Sequence, residues 1–223
     1  MAPSTTAGAA SRYAGAGAHG YWEYQEPIGR QGATRDLWKI APDVGPSDRV
    51  VEFGCGGAFL LERLAAGERV GIEVNPLPRE AARGRGLDVR SGLEQVPDGW
   101  ADVVWSNHAL EHTLAPYDVL REMHRVLRPG GRLRLCLPVD DWRRQRRAAG
   151  PDVNGHLWTW TPLLMHNLLA EVGFTEADIR LAAYSWPRGA RYLVRWHSAY
   201  LKAAAVAGIW RGARELYVSC HRP

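Results

Sequence analysis

Val50-Val51-Glu52-Phe53-Gly54-Cys55-Gly56-Gly57-Ala58 is the stretch on which the fold turns. A β-prone run, Arg49–Phe53, gives way at once to a cluster of glycines. Glycine at a strand end lets the backbone turn tightly and lets a ligand come close to it. If a helix follows, its first turn presents free N–H groups that favour a negative group. Glu73 closes the next strand-like run, near the spacing of about 20 residues at which an acid meets ribose hydroxyls in nucleoside-binding turns.

Working outward, strand-like runs recur at 69–74, Asp88–Arg90, 101–106, 132–137 and 216–220. Helical patterns alternate with them. One passes through Leu60, Leu61 and Leu64 to a stop at Gly67. A second covers 117–127, where Val119, Leu120, Met123, Val126 and Leu127 share a face before Pro129-Gly130-Gly131. A third starts at Thr161-Pro162, an N-cap followed by proline, and stops at Gly173. Residues 34–40 are helix-like as well. Strands alternating with helices predict an α/β fold of Rossmann-like type, with a mostly parallel sheet of about seven strands and helices on both faces. Ligands in such sheets sit beyond the C-terminal strand ends.

Residues 1–20, rich in Ala, Gly and Ser, are expected to be a disordered tail, and 21–223 a single domain. Within it, 21–47 is a helical or lid segment, 48–138 the ligand-binding core, and 139–223 the substrate side and closing strands. With 46% hydrophobic and 23% charged residues, the chain has the composition of a soluble globular protein. No apolar run approaches the roughly 20 residues of a membrane span, and the N-terminus has no secretory pattern. A cytoplasmic location is the expectation. The cysteines, Cys55, Cys136 and Cys220, are odd in number and show no CxxC or Cys/His spacing, so no metal is expected. The net charge is +4, and lysine occurs only at 39 and 202. The densest basic cluster, Arg143, Arg144, Arg146 and Arg147, is read as a solvated face, and no nucleic acid partner is expected.

Phe59 interrupts the G-x-G-x-x-G pattern of a dinucleotide turn, and no Tyr-x-x-x-Lys pair follows. An NAD(P)-dependent oxidoreductase is therefore disfavoured. The second carboxylate, Glu52, suits a nucleoside ligand that carries an amino group, as S-adenosylmethionine does. A non-catalytic nucleoside-binding module on the same fold remains open.

EFGCGGAFL, GIEVNP, WADVVWSNHALEH and LREMHRVLRPGGRLRLCLP follow one another in the order found in class I S-adenosylmethionine-dependent methyltransferases. The chain resembles their small-molecule branch over roughly 48–174. The resemblance implies S-adenosyl-L-methionine as cofactor and a small-molecule methyl acceptor. It implies that Glu52, Gly54, Cys55 and Gly56 border the methionine part and that Glu73 holds the ribose. It also implies that Val74 and Leu93 flank the adenine, and that Asn107 and His108 lie beneath the methionine, facing the acceptor. Two departures stand out. Ala58 replaces the third glycine, and Ser91-Gly92 stands where an acid often meets the adenine.

Methyl transfer from a sulfonium is an in-line displacement, in which alignment supplies much of the effect and a general base the rest. His156, His108 and His112 are the candidate bases, with Asp140 and Asp141 behind them. His156 precedes a helix where resembling proteins also carry a histidine near the acceptor. Tyr21, Trp22, Tyr24, Trp158 and Trp160 form either an aromatic wall or core packing. Residues 184–212, arginine-rich and amphipathic, either cover the pocket, form a homodimer contact, or touch a lipid surface peripherally.

Overall fold

Side-chain alternation in the central strands sends apolar residues to two separate cores. From β1 (Arg49–Phe53), Val51 enters one core and Val50 the other. From β4 (Ala101–Asn107), Val104 enters the first, and Val103 and Trp105 the second. A sheet buried on both faces must be covered on both, as parallel sheets are. The computed structural model describes residues 13, 15, 17–140 and 154–223. The arginine cluster at 143–147 and most of the 1–20 segment lie outside these residues.

The sheet has seven strands in the order β3-β2-β1-β4-β5-β7-β6, the others being β2 (Glu68–Ile72), β3 (Asp88–Arg90), β5 (Leu127–Val139), β6 (Thr175–Ala183) and β7 (Arg214–His221). Strands β1 to β5 pair in parallel, and β7 runs antiparallel between β5 and β6. Helices α3 (Pro116–Val126) and α4 (Pro162–Val172) pack on one face through Leu120, Met123, Met165 and Leu169. Helices α1 (Ala18–Arg35) and α2 (Pro76–Arg83) contribute Ala33 and Ala82 to the other. Short α5 (Ala190–Leu193) and α6 (His197–Arg211) precede β7. Among the described residues no helix is long and apolar enough to cross a membrane.

The structure departs from the sequence expectations at several points. The pattern at Leu60, Leu61 and Leu64 gives only a 3-10 turn, Leu61–Arg63. All three leucines are buried, and Gly67 and Glu68 N–H groups donate to the Asp48 carbonyl, drawing the chain into β2 before a helix can extend. The expected strand at 132–137 starts at Leu127, because Gly130 and Gly131 bond to the backbone of Arg222. β6 carries no sequence signal of its own. Most of it is exposed, and it forms by pairing with β7. At the N-terminal end, Ala18–Gly20 open α1 rather than belonging to a tail, and Tyr13 is buried.

Lys39, in the 3-10 turn after α1, ties this segment to the closing strand. Its buried ammonium lies 2.9 Å from Glu215 Oε2 and 3.6 Å from Asp36 Oδ1. Removing one partner of a buried ion pair strands the other charge. Lys39→Met is expected to lower unfolding free energy by about 3–5 kcal/mol, measured by urea denaturation. An unchanged midpoint would show that Glu215 finds another partner.

Candidate active site

Strand order reverses between β1 and β4, and there the connections leaving the two strands diverge to opposite faces. A cavity of 890 Å³ opens at this point, within the range of about 300–1,000 Å³ typical of small-molecule sites. Its floor is formed by the turns after β1, β2, β4 and β5, and one side by α1. Gly54 takes φ 71° there, and a Cβ on it would lie 2.3 Å from that of Ala109. Only glycine fits. Ala58, the departure from the glycine pattern, adopts φ 55° and is fully buried. That strain amounts to roughly 1–2 kcal/mol for a residue with a Cβ.

The expected cofactor residues and histidines line this cavity, namely Glu52, Gly54, Cys55, Gly56, Glu73, Val74, Leu93, Asn107, His108, His112 and His156, as does Asp140, whereas Asp141 lies outside the described residues. Glu73 is fixed by two backbone donors, Gly56 N–H to Oε2 at 2.9 Å and Asn75 N–H to Oε1 at 2.8 Å. Burial raises its carboxyl, and these donors with Arg79 oppose the rise. Glu52 is buried more starkly. Its Oε2 has no hydrogen-bond partner, and burial pushes its carboxyl up to about 8. Burial also raises the Cys55 thiol.

The acceptor-side histidines are arranged in two groups. His108, at φ 51°, has its Nε2 3.0 Å from Glu215 Oε1. Burial opposes charge on Glu215, but Lys39 and His108 hold its carboxyl well below the usual range. His156 and His112 stack edge-on with ring centroids 5.0 Å apart. His156 Nδ1 lies 2.9 Å from Asp140 Oδ2, and His112 Nδ1 lies 2.8 Å from the Tyr13 hydroxyl. Glu111 sits between them, fully buried, with neither oxygen hydrogen-bonded.

Four of these participants escaped the sequence reading. Tyr13 falls in the segment expected to be a tail, and Glu111 carries no signal of its own within Leu110-Glu111-His112. Glu215 and Lys39 meet from opposite ends of the chain. A signal for Lys39 did exist, since it is one of two lysines in an arginine-rich chain. The aromatic expectation divides. Tyr21, Trp22 and Tyr24 line the cavity, whereas Trp160 is in the core and Trp158 is exposed, its Nε1–H donating to the Thr113 carbonyl. In the 184–212 segment, Tyr184, Ser185, Trp186 and Gly212 line the cavity, and Trp196, Ile209 and Trp210 are exposed.

Residues 51–135, which contain the glycine turn and the Leu110-Glu111-His112 turn, match the family model described as a methyltransferase domain. Over these residues the chain resembles a methyltransferase domain. The family's cofactor is S-adenosyl-L-methionine. The chain is 32% identical over 133 residues to 27-O-demethylrifamycin SV methyltransferase of Amycolatopsis mediterranei, covering 52% of this chain and 49% of that protein. It is 30% identical over 132 residues to ubiquinone biosynthesis O-methyltransferase of Pseudomonas aeruginosa, covering 52% and 56%. The chain thus spans about half the length of these curated relatives. Its fold is also that of Haemonchus contortus phosphoethanolamine N-methyltransferase 2, solved with S-adenosyl-L-methionine. There the TM-score is 0.60 at 12% identity, over 85% of this chain and 52% of that one.

Burial of Glu52 has a consequence for stability. Its folded carboxyl titrates near 8 against 4.5 when unfolded, so the folded state keeps a proton that the unfolded chain releases. Stability is therefore lost as pH rises from 4.5 to about 8. Glu52→Gln is expected to flatten this decline, by at most about 1.4 kcal/mol per pH unit. Parallel urea-denaturation profiles for the two proteins would show Glu52 ionised throughout.

Proposed function

We propose that this protein transfers a methyl group from S-adenosyl-L-methionine to a small-molecule acceptor, at an oxygen atom, in the cavity beside β4 and β5. Glu52 carries the proposal. A buried carboxylate with an unbonded oxygen at the glycine turn is matched by a ligand ammonium, and the amino-acid part of this cofactor has one. A dinucleotide would instead bring phosphates against it.

Glu73 is pre-oriented by Gly56 and Asn75, and its remaining lone pairs suit two ribose hydroxyls. Val74 and Leu93 flank the adenine, with Ser91 and Gly92 offering backbone groups to its edge. Gly54, Cys55 and Gly56 border the methionine part, with Asn107 and His108 beneath it. When bound, the cofactor supplies an electrophilic methyl on a sulfonium. The chain's own residues align the acceptor and accept its proton. His108 is the base, its Nε2 held by Glu215 so that Nδ1 is the nitrogen left to take a proton. His112 and His156 contact the acceptor. The two relatives above are named for O-methylation of natural-product or quinone precursors, which favours oxygen over nitrogen or carbon.

Calorimetry with S-adenosyl-L-methionine and NAD tests the proposal directly. The former is expected to bind and the latter not. Glu73→Ala is expected to weaken cofactor affinity by about tenfold to a hundredfold, the worth of one or two hydrogen bonds to a charged group. Undiminished affinity would overturn the assignment. Because the ligand ammonium favours ionised Glu52, wild-type affinity is expected to rise with pH up to about 8, and Glu52→Gln to bind more weakly with a flatter profile. For chemistry, His108→Ala and His156→Ala are expected to lower turnover by about 10²-fold or more while leaving cofactor affinity nearly intact. Equal losses in both quantities would remove them from the acceptor side.

A further inference from the structure

Glu111 is a buried carboxylate whose ion-pair partners are two histidines of the cavity wall. It is fully buried in the 3-10 turn Leu110–His112, and neither carboxylate oxygen is hydrogen-bonded. Two histidine nitrogens stand just beyond hydrogen-bond range of it. His112 Nε2 is 3.6 Å and His156 Nε2 is 3.9 Å from Glu111 Oε1, and one ligand atom from each of the three residues lies within 4.8 Å of the others. Ligands bound at about 2.0–2.2 Å in tetrahedral array around a zinc-sized ion stand roughly 3.3–3.6 Å apart. The His112–Glu111 separation has this scale, and the His156–Glu111 one is slightly wider.

Both imidazoles are also oriented from behind. His156 Nδ1 faces the Asp140 carboxylate at 2.9 Å, and His112 Nδ1 faces the Tyr13 hydroxyl at 2.8 Å. Each Nε2 is thereby the nitrogen turned toward Glu111. A carboxylate behind a ligating histidine is the usual outer shell of a metal site. The loop carrying His156 is stitched to the Glu111 turn, with Leu157 N–H donating to the Glu111 carbonyl at 2.9 Å and Trp158 Nε1–H to the Thr113 carbonyl at 2.7 Å. The neighbouring cluster of His108, Cys136 and Glu215 differs, since the Lys39 ammonium already neutralises its carboxylate.

We propose that Glu111, His112 and His156 form a binding site for a divalent first-row metal ion of the Zn²⁺ class, with an open coordination position facing the cavity. Two imidazoles and one carboxylate exclude Mg²⁺ and Ca²⁺, which take oxygen ligands. The site's use rests on the methyl-transfer function proposed above. There, the open position takes the acceptor hydroxyl oxygen, whose proton passes to His108. That oxygen forms the O–CH₃ bond as the S–CH₃ bond breaks with its electron pair going to sulfur.

The test uses the tag-free full chain, stripped with chelator and titrated with Co²⁺ and then Zn²⁺. One equivalent of Co²⁺ per chain is expected to produce visible d–d absorption, abolished by Zn²⁺. Glu111→Gln, an isosteric change, and His156→Asn are each expected to weaken Co²⁺ binding by more than about 100-fold, and Asp140→Asn by about 10–100-fold. His108→Ala is expected to leave it unchanged. Absence of a stoichiometric Co²⁺ spectrum in the wild-type protein overturns the site regardless of how the variants fold. Unaltered Co²⁺ affinity in folded Glu111→Gln overturns it as well. Binding of S-adenosyl-L-methionine is measured on the same samples. Cofactor binding without Co²⁺ binding sinks the metal site alone, and Co²⁺ binding without cofactor binding sinks the methyl-transfer proposal and leaves the site standing.

Discussion

The approach of Gly54 to Ala109 governs the shape of everything around the cavity. The two residues lie on the turns leaving β1 and β4, where the strand order reverses, and no side chain fits between them at Gly54. Because the turns close up there, the crevice above them has a solid floor rather than a channel through the sheet. The Phe53 carbonyl, accepting from the Ser106 hydroxyl at 3.1 Å, locks the same two strand ends together just below. Each polar group on the rim inherits its position from this junction.

Charge in the cavity is distributed by how completely each acid is answered. Glu215 has Lys39, Tyr217 and His108 around it and is comfortably anionic. Glu73 is answered by backbone donors and by Arg79. Glu52 has one oxygen, and Glu111 both, without a hydrogen-bond partner. Buried carboxylates in that condition are retained where something cationic arrives to complete them. On the proposed function, Glu52 meets the cofactor's ammonium. On the further proposal, Glu111 meets a metal ion. In the free protein burial pushes both carboxyls toward their protonated form.

The legible part of this protein was the part written in short range. The turn at Gly54–Ala58, the acid at Glu73 and the period-2 alternation of Val103, Val104 and Trp105 each depend on a few consecutive residues, and all appear where expected. The helix from Pro162 to Val172 was equally plain, since Thr161 caps it and Gly173 ends it in the left-handed region. Elements set by partners were not legible. β6 exists because β7 supplies its ladder, and the leucines at 60, 61 and 64 are gathered by burial rather than by helical periodicity. The same holds in the site. His108, His112 and His156 stood out as titratable residues near strand ends, but Glu215 and Tyr13 reach them across sequence separations of 107 and 99 residues. Nothing local announces such pairs.

Helix α1 has an internal composition at odds with its role as a wall. It contains Gly20, Gly29 and Gly32, and Pro27 in its interior removes one backbone donor. What holds it is tertiary. Asn75 Nδ2–H donates to the Ala18 carbonyl at one end, and Tyr184 and Trp186 grip Asp36 just past the other. Between these tips α1 rests on Phe59, which stacks on Trp22 and lies under the Arg30 guanidinium. The wall of the cavity on this side thus stands on an aromatic ring rather than on the helix's own propensity.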